Sequence, residues 1–144
     1  MSLVIDTNIL IYAANRDSHH HPAAHAFLEK QLVAGCCLTW SILYEWLRIA
    51  THPKVFSRPL DPKKAQDFIM NIADDPSVDV LVETSQHSRF LQMALEEAPT
   101  LRGNLYHDAH IAAIMLEHGV RKIATADRHF RLFSSLQVID PTKT

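Results

Sequence analysis

Four carboxylates stand near the joints of this chain: Asp6 after "LVI", Glu45 within "ILYEWLRIA", Asp108 in "YHDAHIAAI" and Asp127 in "TADRHF". Carboxylates crowded into one crevice repel one another and raise each other's pKa, and a bound cation reverses that penalty. Mg²⁺ uses only a few carboxylates, keeps several waters and takes phosphate oxygens as further ligands. The chemistry of such a set is hydrolysis of a phosphate ester by a metal-activated water, with attacker and leaving oxygen held in line. If two ions take part, they sit about 3.5–4 Å apart. No nucleophilic side chain is needed, and the chain shows no GxSxG, no P-loop and no Cys–His pairing. Taken singly, each acid also has an ordinary use. Asp127 can cap "RHFRLF", Asp108 can complement a helix dipole, Glu45 can be a solvated helix residue and Asp6 a turn residue.

The acids meet only if the elements carry them to one edge. "LVID" (3–6) is a short continuous apolar run, as expected of a strand buried on both faces. Pro22 opens "AAHAFLEKQLVA", in which Phe27, Leu28, Leu32 and Val33 fall at helical spacing. "CCL" (36–38) predicts a strand, with Thr39 or Ser41 capping a helix whose stripe is Ile42, Leu43, Trp46, Leu47 and Ala50 and which ends at "HP" (52–53). Asp61-Pro62 opens another helix. "VDVLV" (78–82) reads as a strand, 88–98 as a helix, and 106–119 as a long helix stopped by Gly119. "KIAT" (122–125) and "LQVID" (136–140) are strands. This alternation implies an α/β domain with a mostly parallel sheet covered on both faces. Ligands collect beyond the carboxyl ends of such strands, where Asp6 and Asp127 both fall. Glu45 lies one position off its apolar stripe, able to lean over a helix edge. Asp108 lies in a first helical turn, where the backbone dipole favours negative charge.

The letters around these acids are specific in combination. "VIDTNIL" (4–10), a glutamate on the helix after a short strand, "YHDAHIAAI" (106–114) and "TADRHF" (125–130) occur in the order found in PIN-domain nucleases. The chain resembles most the VapC toxins of bacterial toxin–antitoxin pairs, over nearly its whole length. The resemblance implies one three-layer α/β/α PIN-like domain over residues 1–144, with an acidic pocket that binds Mg²⁺ or Mn²⁺ and cuts RNA. By position it implies Asp6, Glu45, Asp108 and Asp127 as the catalytic set, with Asp6, Asp108 and Asp127 on the metal. Thr7, Asn8, Thr125 and His129 stand as polar support. It also implies a cognate VapB-like antitoxin that occludes the pocket, and homodimers as a common form. One position departs from the pattern. Many relatives carry a further aspartate, giving "DRDF", where this chain has His129. Either four carboxylates suffice or His129 takes an outer role through a water, and a tightly held second metal is disfavoured. Arg102, Arg128 and Arg131 flank the acidic motifs and are the candidates for phosphate contacts.

A chain of 144 residues is the length of one ordinary domain, and 47% hydrophobic with 21% charged residues fits a globular one. No apolar run approaches the ~20 residues of a membrane span, and the N-terminus lacks the basic region of a signal peptide. Adjacent Cys36 and Cys37 are a poor basis for a disulfide, so a reducing cytoplasm is the expected compartment. The net charge of −2 argues against a general nucleic-acid coat. With the four pocket acids set aside, 12 of the 16 acidic residues face 14 Lys plus Arg, a mildly basic remainder. Within "DSHHHPAAH" only His21 and His25 have i,i+4 spacing, and the stretch reads as a polar loop before a helix rather than a metal site. His107 and His110 are expected to point sideways from Asp108, and Trp46 into the core. Tyr44 stays open between stacking a base and lying on the surface. Phe90, Leu91, Ala94 and Leu95 pack a helix or form a dimer face. The alternative function is a catalytically inactive PIN-like module that binds RNA or protein, for which His129 is the sole support. A haloacid-dehalogenase type of phosphatase needs an aspartate where Asn8 stands.

Overall fold

The structure is a computed structural model that describes residues 2–143. Its strands are β1 (Leu3–Ile5), β2 (Cys36–Thr39), β3 (Val78–Leu81), β4 (Lys122–Ala124) and β5 (Gln137–Ile139). They form one five-stranded sheet in the order β3-β2-β1-β4-β5, and every neighbouring pair is parallel. The helices are α1 (Thr7–Ala14), α2 (His21–Ala34), α3 (Trp40–Ala50), α4 (Pro62–Ala73), α5 (His87–Glu97) and α6 (Leu105–Glu117), followed by a 3₁₀ turn at Arg128–Leu132.

Parallel strands need crossovers, and crossovers are right-handed. From β1 to β2 to β3 the chain steps one way across the sheet, which puts α1 to α4 on one face. From β3 it returns past β1 to β4, which puts α5 and α6 on the other. The packing agrees: α1 lies against α2 and α3, and α5 against α6. Three layers result, and the central strands are covered twice. That is why β1 and β2 are fully buried along their length while the edge strand β5 is not.

The predicted elements stand with shifts of one or two residues, and one helix was missing. Thr39, not Ser41, caps α3 by accepting the Ile42 N–H at 3.3 Å, and Asp61 caps α4 by accepting the Lys64 N–H at 3.3 Å. Gly119 takes the positive φ of 69° that ends α6. Trp46 is buried and its indole N–H donates to the Leu10 carbonyl at 3.3 Å. Of the expected stripe on α2, Leu28 is buried but Val33 is 90% exposed. The unpredicted helix is α1. Its start is signalled by Asp6, whose Oδ1 accepts the Thr7 N–H at 2.7 Å, but its short run of Ile9, Leu10 and Ile11 reads equally as a continuation of the strand. No helix among the described residues is long and apolar enough to cross a membrane.

Candidate active site

Register decides the centre of the site. β1 and β4 pair Ile5 with Ala124, so the residues that follow, Asp6 and Thr125, leave the sheet side by side. The Asp6 N–H donates to the Ala124 carbonyl at 2.9 Å, and the Thr125 hydroxyl donates to Asp6 Oδ2 at 2.8 Å. This is also where the strand order reverses: β2 and β3 lie to one side of β1, β4 and β5 to the other. A crevice opens at such a switch point because successive crossovers leave toward opposite faces.

Thr125 is fully buried and uses its whole hydrogen-bonding capacity. Besides donating to Asp6, its oxygen accepts from Asn8 Nδ2 at 3.0 Å and from the Asp127 N–H at 2.9 Å. Asn8 Oδ1 accepts the Ala126 N–H at 3.1 Å. The first turn of α1 and the segment after β4 are thereby tied into one polar floor. Thr7 turns its hydroxyl toward the Ile42 carbonyl at 3.4 Å, joining α1 to α3.

Above this floor is a cavity of about 840 Å³. Asp6, Glu45, Asp108 and Asp127 all line it, together with Thr7, Asn8 and His129. Segments up to 123 positions apart in sequence, from Asp6 to His129, therefore converge on one concave surface. Arg102, Arg128 and Arg131 are exposed and do not line it. The cavity's own cation is Arg48, which sequence reasoning missed. It sits three residues after Glu45, one helical turn on, and holds that carboxylate with Nε to Oε2 at 3.2 Å and Nη2 to Oε1 at 2.5 Å. The i,i+3 spacing was the available signal. Tyr12, Ser41, Asn104 and His107 also line the cavity. His107 thus faces the site, contrary to expectation, because the first turn of α6 presents it beside Asp108. His110 does point away, with Nε2 2.9 Å from Glu83 Oε1.

The electrostatics are those of a site built for positive charge. Burial pushes the Asp6 carboxyl above its ordinary value; the hydrogen bonds from Thr125 and Thr7 oppose this, while the charges of Asp127 and Glu45 add to it. Burial pushes Asp108 up to about 7, and the negative charges of Asp127 and Asp6 contribute in the same direction. The donor atoms of Asp108, Asp127 and His129 lie within 4.8 Å of one another. Two carboxylates and an imidazole at that spacing, with a raised acid among them, suit a divalent cation. Asp6 is outside this tight group. It is 7% exposed, and both its oxygens already accept hydrogen bonds from Thr7, Thr125 and Asn8. Among the described residues, no metal-binding group forms around His21 and His25; instead His21 Nδ1 lies 3.0 Å from the Tyr12 carbonyl.

This architecture has known relatives. The family model described as "PIN domain" matches residues 3–135. The chain belongs to the PIN-domain family. Within it, this PIN domain is 32% identical over 143 residues to Ribonuclease VapC48 of Mycobacterium tuberculosis, covering 98% of each chain. It is 30% identical over 140 residues to Ribonuclease VapC37 of the same organism, covering 96% of each. The solved structure of VapBC-1 from nontypeable Haemophilus influenzae superposes with a TM-score of 0.67 at 21% identity, covering 99% of this PIN domain and 100% of that chain. The last shows a shared fold; the first two show that the whole length belongs with the VapC members.

Proposed function

We propose that this PIN domain is a metal-dependent endoribonuclease toxin of VapC type, spanning the 144 residues as one nuclease domain and restrained by a VapB-like antitoxin. The observation that carries the reading is the convergence of Asp6, Glu45, Asp108 and Asp127 on one cavity at the switch point of the sheet. Relatives named ribonucleases match it end to end, and VapBC pairs share its fold. The cytoplasm is the compartment that fits its free, buried Cys36 and Cys37.

Asp108 and Asp127, with His129 beside them, would hold a Mg²⁺ or Mn²⁺ ion. Such an ion would supply charge to polarise the scissile phosphate and to lower the pKa of a water. Asp6 adds fixed negative charge, and the Thr7, Asn8 and Thr125 hydrogen bonds keep it from turning. Glu45 orients the attacking water from the α3 side by accepting a hydrogen bond from it. Arg48 shares its guanidinium between Glu45 and a phosphate oxygen of the RNA, a fork geometry that suits both. Arg102, Arg128 and Arg131 contact phosphates farther along the strand and set register without reading sequence. No covalent intermediate is involved. The thiols of Cys36 and Cys37 are buried away from the cavity, and burial pushes the Cys36 thiol up to about 11.

The test is cleavage of a mixed RNA pool by the purified chain with Mg²⁺ or Mn²⁺. Excess EDTA and, separately, Asp127→Asn should each abolish cleavage. Persistent cleavage under either condition removes the metal mechanism. Metal binding and RNA binding without any cleavage would replace the nuclease reading with that of an inactive binding module.

A further inference from the structure

Asp108, Asp127 and His129 form the one tight group of ligating side chains among the described residues. Two offer oxygen and the third offers nitrogen. His129 Nδ1 and Asp127 Oδ1 stand 2.7 Å apart, and the backbone N–H of His129 donates to the same oxygen at 2.9 Å. The turn from Asp127 into the 3₁₀ segment therefore fixes the ring against the carboxylate. Neighbouring ligands on an octahedral ion, each at about 2.0–2.2 Å and at right angles, are themselves about 3 Å apart. The Asp127–His129 pair is close to that bite. An ion bonded to both atoms would sit where they now face each other.

We propose that His129 is a direct metal ligand, completing a two-carboxylate, one-imidazole set that selects Mn²⁺ over Mg²⁺. The proposal rests on the metal-dependent reading above and gives that site its metal preference. Mg²⁺ is a hard ion that favours oxygen, whereas imidazole binds the later first-row ions better, and Mn²⁺ accepts both donors. On binding, the neutral ring keeps its one proton on Nε2 and gives the Nδ1 lone pair to the ion; any second ring proton leaves to solvent. His107 lines the same cavity but is not part of the tight group, which makes it a control. The His129 side chain is 55% exposed, so replacing it spares the core.

The experiment uses tag-free full-length protein titrated with Mn²⁺ alone near pH 8, followed by Mg²⁺ competition and pulsed electron paramagnetic resonance of the bound Mn²⁺. The expected result is the ¹⁴N coupling of a directly bound imidazole, present in the parent and in His107→Ala and absent in His129→Asp. The Mn²⁺-to-Mg²⁺ affinity ratio should fall about tenfold or more in His129→Asp. Mn²⁺ binding that is lost in Asp127→Asn yet shows no nitrogen coupling, or an unchanged ratio in His129→Asp, overturns the proposal and leaves the metal site standing. Absence of Mn²⁺ binding, or binding indifferent to both Asp108→Asn and Asp127→Asn, overturns the metal reading and this proposal with it.

Discussion

One hydroxyl, that of Thr125, holds Asp6, Asn8 and Asp127 in mutual register. Thr125→Val keeps the shape and removes all three bonds. It should cost about 1–3 kcal/mol in denaturant unfolding, because buried polar atoms lose their partner; an unchanged midpoint would show that the floor does not depend on this group. Asp108 carries the pH dependence. Its folded value of about 7 stands above the ordinary 3.8. Below about 3.8 both states hold the proton, between the two values only the native state does, and above about 7 neither does. The metal-free fold therefore loses stability as pH rises through that window, and Asp6, also raised, acts with the same sign. Melting in EDTA should fall from about pH 5 to pH 8, and Asp108→Asn should flatten the decline and raise the melting point at pH 8. A melting point that rises with pH would mean that the acids are not crowded. The four acids were legible as strand-end and helix-edge residues before any coordinates. Arg48 was not, since a lone arginine one turn after a glutamate looks like an ordinary surface pair.

At the level of elements, the site is an agreement between β1, β4, α3 and the first turn of α6. The strands could be read from short apolar runs and the helices from their caps. α1 could not, because three consecutive apolar residues after a strand carry no period that separates helix from strand. Only tertiary packing resolves it: Ile9 and Leu10 are buried and Leu10 accepts the Trp46 N–H. On α3, one turn sets Glu45 and Arg48 on the cavity wall while Ile42, Leu43 and Trp46 face inward. Arg48→Ala should raise KM for RNA about 5–10-fold with little change in kcat, and should weaken the salt dependence of KM. A fall in kcat at unchanged KM would assign Arg48 to the chemical step. At the far end of α6, burial pushes the Glu117 carboxyl up, but hydrogen bonds from His87 and from the Thr84 N–H and hydroxyl outweigh it and hold the group below its usual range. Its stabilising effect is present above the ordinary 4.5 and is lost as pH falls through the lowered value. Glu117→Gln should therefore destabilise the fold at neutral pH and have less effect in acid, measured by melting. An equal loss at both would place the effect in packing, not charge.

For the molecule as a whole, charge is divided: the cavity is lined by four carboxylates, and the remainder of the chain carries a small excess of Lys plus Arg. A nuclease of this kind is carried safely only when its cavity is covered. Expression of the chain alone should arrest growth, Asp127→Asn should relieve the arrest, and a VapB-like antitoxin produced alongside the parent chain should restore growth. Arrest that survives Asp127→Asn would sever toxicity from the site. The partner and the preference for a dimer were implied by resemblance and by nothing in composition or periodicity, because surfaces that await a partner obey the same solubility rules as those that do not. The most direct measurement of the central claim is anomalous diffraction from crystals grown with Mn²⁺. The account expects a manganese peak in the cavity, bonded to both Asp108 and Asp127, with Asp6 still held by Thr125. A cavity without a peak at saturating Mn²⁺, or a manganese ion bound at another surface, would contradict it.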